Sequence, residues 1–168
     1  MSGAAPDELN VIDYIAQTRA SYDKLGYDAY RWAAEPEPSA LVAPLKPLSE
    51  SKVALVASGG IYEVGQAAFH HRDDTSIRRV STDVEISDLR ISHFAYDRTD
   101  ARSDPNVVFP IDPLRDLVAT GKIGSLTSHA LTFMGGIYSQ RRLREELIPE
   151  LSSELSAMAP DVVLLVPV

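Results

Sequence analysis

Two stretches of this chain are apolar without alternation. Val53-Ala54-Leu55-Val56-Ala57 ends in Ser58-Gly59-Gly60, and Val162-Val163-Leu164-Leu165-Val166 ends in Pro167-Val168. A strand with one wet face alternates apolar and polar residues, so an unbroken run fits a strand covered on both faces. Such strands belong to parallel sheets flanked by helices. The pair therefore predicts an α/β fold with a mostly parallel sheet, and it sets the Ser-Gly-Gly turn at the carboxyl edge, where open α/β sheets bind ligands. The second run has no helix after it in the sequence. A buried parallel strand ordinarily feeds a loop and a covering helix, so this layer is expected to be incomplete at its C-terminal end and finished by a partner or by further chain.

Ahead of that domain, residues 7–25 carry Leu9, Ile12, Ile15, Tyr22 and Leu25 at helical spacing, with Asp7 as the expected N-cap and Gly26 as the stop. Tyr27, Tyr30 and Trp32 form a second short apolar turn. Pro36, Pro38, Pro44 and Pro47 then block both helix and central strand. The expected organisation is a helical arm with a proline-rich linker over residues 1–50 and an α/β domain over 51–168.

Within the domain, Ile77-Arg78-Arg79-Val80 and Leu89-Arg90-Ile91-Ser92 alternate as half-exposed strands do. Asp112-Pro113 reads as an N-cap and first helical position, with Leu114, Leu117 and Val118 as the buried stripe and Gly121 as the end. Residues 124–137 are rich in Gly, Ser and Thr and end Phe133-Met134-Gly135-Gly136-Ile137, where Gly135 and Gly136 permit tight turning or close approach of a ligand. Ser139 caps a last helix whose stripe is Leu143, Leu147, Leu151, Leu155 and Met158; Pro149 inside it predicts a kink or a division.

Composition removes several function classes. Sixteen basic against twenty-four acidic residues leave a formal charge of −8 over 168 residues, which disfavours nucleic acid and anionic lipid as partners. No apolar run approaches the ~20 residues of a membrane span. Met1-Ser2-Gly3-Ala4-Ala5-Pro6-Asp7-Glu8 lacks the basic flank and apolar stretch of a signal peptide, so the expected compartment is the cytoplasm. There is no cysteine, and hence no disulfide, thiolate zinc site or cysteine nucleophile within these residues.

The candidate chemistry is sparse. Ser58, Gly59 and Gly60 could cradle an anion through backbone N–H groups, although neither a Walker loop nor a dinucleotide fingerprint is present. A plain tight turn explains them equally well. His70-His71 with Asp73 and Asp74, or His93 with Asp97, Asp100 and Asp104, could hold a metal, but neither set matches a ligand motif, and solvated loop charge is the favoured reading; no metal is expected. Ser92, His93 and Asp97 can be drawn as a triad, yet Gly-x-Ser-x-Gly is missing. A structural role for His93 at a strand edge, near Arg90 and Asp88, is preferred. Arg141, Arg142 and Arg144 are followed at once by Glu145 and Glu146, a solvated helix face rather than a nucleic-acid patch.

Three stretches carry a family likeness. They are Val53-Ala54-Leu55-Val56-Ala57-Ser58-Gly59-Gly60-Ile61-Tyr62; Asp88-Leu89-Arg90-Ile91-Ser92-His93-Phe94-Ala95-Tyr96-Asp97, continuing through Asp104-Pro105-Asn106-Val107-Val108-Phe109-Pro110-Ile111-Asp112; and Gly121-Lys122-Ile123-Gly124-Ser125-Leu126 with Phe133-Met134-Gly135-Gly136-Ile137. Over residues 52–168 the chain resembles the selenoprotein B family of glycine, sarcosine, betaine and D-proline reductases.

That resemblance implies an oxidoreductase performing reductive C–N cleavage of an amino acid or its N-methyl derivative, with thiols as the ultimate reductant. Family members place selenocysteine or cysteine, two residues and a cysteine directly after a Pro-Val like Pro167-Val168. The expected catalytic group is therefore absent from these residues and would follow Val168, as in a reading frame cut at a recoded UGA codon; the alternative is a genuine short paralogue or a fragment. The chain as given is expected to be inactive alone. The resemblance further implies no cofactor in this chain, a pyruvoyl group on a partner subunit, a thiol or selenoprotein reductant, and an amino-acid-like substrate. Ser58, Gly59, Gly60 and Arg90 become substrate-binding candidates, and His93 and Tyr96 candidates for proton transfer or carboxylate contact. The competing expectation is a noncatalytic assembly subunit that docks through the unfinished sheet.

Overall fold

The computed structural model describes residues 13–29, 38–39 and 42–168. It divides into two compact units, residues 1–41 and 42–168. In the first, helix α1 (Tyr14–Leu25) is capped by Asp13, whose Oδ1 accepts the Ala16 N–H at 2.9 Å, and ends at Gly26 with φ 72°. The observed cap is thus Asp13; Asp7, Leu9, Ile12, Tyr30, Trp32 and Pro36 lie outside the described residues.

The second unit is a mixed, mostly parallel sheet flanked by helices. Strand β1 (Lys52–Ala57) is its axis, with Val53 to Ala57 buried. After β1 come β2 (Ile61–Glu63), β3 (Arg78–Ser81), β4 (Leu89–Ile91), α2 (Thr99–Ser103), α3 (Ile111–Ala119), β5 (Ser125–Leu126) and β6 (His129–Thr132). A helical stretch built of α4 (Gln140–Arg142), a π turn (Leu143–Leu147) and α5 (Ile148–Met158) leads to β7 (Val162–Val166). β1 pairs in parallel with β5 at its start, β6 at its end and β7 along the other side, while β3 joins β6 antiparallel. β2 and β4 form a separate antiparallel ribbon.

Alternate residues of β1 serve two layers. Val53, Leu55 and Ala57 pack with Phe109, Ile111, Leu114 and Ala130 in the main core. Val56 has Leu131 and Leu165 as its register partners, so those three side chains share the opposite face. Full burial of a side chain the size of Phe109 or Leu55 contributes about 1.5–3 kcal/mol each.

The structure sharpens or revises the sequence expectations at several places. Residues 124–137, to which the sequence alone assigns no strand, hold two short strands, β5 and β6, beside β1. Helix α3 begins at Ile111 after Pro110, so Asp112 sits in its first turn instead of capping it; its Oδ1 pairs with Arg115 at 2.9 Å. The helix is divided at Pro149 as expected: the α ladder gives way to the π turn, and α5 starts at Ile148 with Pro149 in its first turn. The preceding π turn, closed by Ile148 N–H on Leu143 O, widens the ladder just where proline would otherwise lose a bond and clash. Finally, β7 is an edge strand and only partly covered: Leu164 and Leu165 are 38% and 65% exposed. Its lack of alternation alone cannot separate an interior strand from an edge one.

Helix α5 ends on Ala159 at φ 47°, a left-handed position that costs an L side chain about 1–2 kcal/mol. Ala159→Gly is expected to raise stability by about 0.5–1 kcal/mol, read as a higher urea midpoint at unchanged slope.

Candidate functional site

The three stretches that are far apart in sequence meet at the carboxyl edge of β1. Gly60 donates its N–H to Phe133 O at 3.0 Å, and its carbonyl accepts the Ser92 N–H at 2.9 Å. Gly135 N–H donates to Ser58 O at 2.9 Å, and Gly59 bridges Met134. Glycine is required here: a Cβ on Gly60, at φ 70°, would lie 2.2 Å from Ser92 O. The end of β7 is tied to the same turn. Ser58 N–H donates to Val166 O at 3.0 Å, and Ser58 Oγ accepts the Val168 N–H at 2.9 Å.

This wiring narrows what the turn can offer a ligand. The N–H groups of Ser58 and Gly60 are used inside the fold, leaving Gly59's as the one not drawn into these bonds. Ser58 Oγ, an acceptor for Val168, keeps its own proton to donate.

His93 and Tyr96 flank the turn. Their rings lie 4.6 Å apart, and Tyr96 donates its hydroxyl to Gly59 O at 3.0 Å. His93 is buried, and its Nδ1 accepts the Ala95 N–H at 3.1 Å. That bond fixes the neutral tautomer with its proton on Nε2, a buried atom without a hydrogen-bond partner among the described residues. Burial first, and the Arg98 charge second, hold the imidazole below its ordinary pKa. Burial also raises the Tyr96 hydroxyl, which stays protonated. As pH falls through about 6.5 the unfolded chain takes up a proton that His93 resists, so the folded state loses stability in that window. His93→Gln is expected to flatten this part of the pH–stability curve, measured by urea unfolding between pH 5 and 8.

Arg90 belongs elsewhere. Its Nη1 donates to Ser87 O at 2.7 Å and Leu89 O at 2.8 Å, and it lines a shallow cleft with Tyr62 and Pro105. The Ser92–His93–Asp97 triad does not assemble: Ser92 Oγ donates to Phe69 O, and Asp97 Oδ1 accepts the N–H and hydroxyl of Thr99. Among the described residues no group of three or more His, Asp or Glu side chains is placed to hold a metal. The acidic residues considered for that role do local structural work. Asp73 Oδ1 accepts the N–H groups of Tyr138 and Ser139 at 2.6 and 2.9 Å, Asp74 accepts that of His70, and Asp104 that of Asn106. Arg141–Glu145 and Arg142–Glu146 pair across a helical turn as expected.

Gly135, read from the sequence as a place for tight turning or close ligand approach, is anchored on Ser58 O, whereas Phe133 and Met134 as wall and anchor of the turn were overlooked. The apolar run Ala130-Leu131-Thr132-Phe133-Met134, ending in Gly135-Gly136, repeats the pattern of β1 and its glycine turn and could have revealed them. Between that wall and the helix above it lies an apolar groove of about 400 Å³. No helix among the described residues is long and apolar enough to cross a membrane.

The chain is 37% identical over 120 residues to the D-proline reductase subunit gamma of Acetoanaerobium sticklandii, covering 71% of this chain and 50% of that protein. It is 30% identical over 129 residues to the glycine reductase complex component B subunit gamma of Symbiobacterium thermophilum, covering 73% and 29%. It is 33% identical over 104 residues to the betaine reductase complex component B subunit beta of Peptoclostridium acidaminophilum, covering 56% and 23%. The chain thus spans half the length of the first of these relatives and under a third of the other two. No solved structure gives a significant match. Residues 35–167 match the family described as glycine/sarcosine/betaine reductase selenoprotein B, and the chain belongs to that family.

Proposed function

We propose that this chain forms the substrate-facing sheet edge of a reductase component that cleaves a C–N bond of an amino acid or its N-methyl derivative. In the net reaction the C–N bond is replaced by C–H, the nitrogen leaves as an amine or, where the bond belongs to a ring, stays in the opened product as a primary amine, and a dithiol supplies two electrons and becomes a disulfide. The group that attacks carbon is a selenolate or thiolate, which these 168 residues do not contain. The family resemblance puts it directly after Val168. One observation supports the reading above the rest: Ser58 holds Val166 and Val168 through paired hydrogen bonds, so a residue following Val168 starts beside the Ser58–Gly60 turn. A chalcogen between a strand end and a helix N-terminus meets N–H groups and the positive end of the helix dipole, which lower its pKa and favour the anion. A pyruvoyl-bearing subunit and a thiol or selenoprotein reductant complete the proposed assembly, which we assign to the cytoplasm.

The test is reductive C–N cleavage of glycine, sarcosine, betaine and proline, with dithiol, by the polypeptide extended past Val168 and assembled with its partner subunit, read as released amine for the first three and as the ring-opened linear amino acid for proline. Cleavage of at least one substrate is expected; cleavage of none overturns the reading. The exposed Leu164 and Leu165 on β7 favour a second reading, a noncatalytic assembly subunit. It predicts that the extended polypeptide joins the complex while its selenol or thiol can be removed without loss of rate.

A further inference from the structure

The parallel sheet is wound in two directions, over two faces. Val56 and Ala57 pair with both β6 and β7, so those two strands lie on opposite sides of β1. From β1 the chain reaches β5 and β6 through α3, whose Ile111 and Leu114 pack with Val53, Leu55 and Ala57 on one face. From β6 it reaches β7 through α5, and Leu151 of that helix lies over Val56 and Leu165 on the other face. Changing direction and face together gives both crossovers the same hand, as the right-handed rule for parallel connections requires.

Helix α5 leaves part of its own face bare. Arg79 of β3 pairs with Glu154 of α5, which ties the helix toward the β3 edge of the sheet. In the order β3-β6-β1-β7, β7 is three strand spacings from β3, about 14 Å. Helices packed side by side lie about 8–10 Å apart, so the next helical berth on this face falls over β7. Its lining is already apolar. Leu165 is 65% exposed there, and the groove between Leu165 and Leu151 carries no charged side chain.

The direction of β7 identifies the occupant. Its outer side pairs with no strand among the described residues, and its end is held at Ser58 through Val166 O and Val168 N–H. A chain going on from there to add a parallel strand outside β7 moves the same way as the β6-to-β7 crossover. It therefore crosses on the same face, beside α5. The face of α3 is filled by the main core. Half of the D-proline reductase subunit gamma lies outside its match to this chain, far more than the dozen or so residues a crossover takes.

We propose that the groove is the seat of the helix that follows the redox residues, packed on Leu165 beside α5 on its way to a further strand outside β7. This rests on the continuation past Val168 given above, and it assigns the groove to the same polypeptide rather than to a substrate or a partner subunit. Such a helix starts in the crevice between β1 and β7, where the two crossovers diverge, and aims its N-terminal N–H groups at the Ser58–Gly60 turn.

The experiment places a probe, Leu165→Cys, in the polypeptide extended past Val168 with serine at its redox positions, and in the 168-residue chain. Iodoacetamide labelling at position 165 is followed by peptide mass. Extension is expected to slow labelling at least about tenfold, while the exposed control Lys122→Cys labels equally in both forms. Leu165→Glu is expected to lower the urea midpoint of the extended form and to leave that of the 168-residue chain in place. Labelling at position 165 that extension does not slow, or that slows only when the partner subunit is added, overturns the proposal. So does a Leu165→Glu variant whose extended form keeps its midpoint. Protection of position 165 by an extension whose native form cleaves no substrate would leave the seat standing and overturn the reductase reading alone.

Discussion

Gly60→Ala is expected to destabilise the chain by about 2–5 kcal/mol, a large share of the total stability of a domain this size. Two costs combine. The backbone at φ 70° is left-handed, and the new Cβ would fall 2.2 Å from Ser92 O and 3.3 Å from His93 Cβ. The first contact is to backbone, so a side-chain rotation cannot relieve it; the β4 end would have to retreat and break the Ser92–Gly60 hydrogen bond. Gly121→Ala is the control, because Gly121 has φ 68° but nothing within 4 Å of its would-be Cβ. It is expected to cost only the conformational part, about 1–2 kcal/mol. Equilibrium urea unfolding of both variants separates the terms. Equal losses would mean that the close approach of β1 and β4 at the turn carries no constraint.

The second large effect is chemical. Supplied with dithiol, partner subunit and substrate, the 168-residue chain is expected to release amine no faster than buffer, while the form extended through the selenocysteine or cysteine turns over at least about 10⁶-fold faster. Displacement at carbon needs a polarisable anion, and none of the side chains near the turn supplies one. Ser58 has no adjacent base among its described partners, Tyr96 is held protonated, and His93 is neutral with its accepting nitrogen occupied by Ala95. Those residues can bind and orient a substrate without reducing it. Measurable turnover by the 168-residue chain would place the nucleophile among residues now given only binding or structural roles.

The parts of the fold that could be read from sequence were those where one physical demand dominates. Val53 to Ala57 had to be a doubly covered strand, Gly26 and Gly121 stop helices in left-handed turns, and Ser139 caps its helix as a side-chain acceptor. The missed parts depended on neighbours distant in the chain. β5 and β6 are two and four residues long, carry Ser, Thr and His, and become strands because β1 lies beside them. The exposure of β7 is set by its place in the sheet order, which its five aliphatic residues do not encode. At the site, Ser58, Gly59, Gly60, His93 and Tyr96 were legible as motifs. Their hydrogen bonds were not, and those bonds removed two of three backbone donors from the expected anion cradle and turned Arg90 to the carbonyls of Ser87 and Leu89.

The claim that joins these observations is that β7 delivers a selenol or thiol to the Ser58–Gly60 turn. Sequencing the messenger RNA immediately downstream of the Val168 codon tests it most directly. The account predicts an in-frame UGA or cysteine codon, then two further codons and a cysteine codon; a UAA or UAG terminator at that position would contradict it.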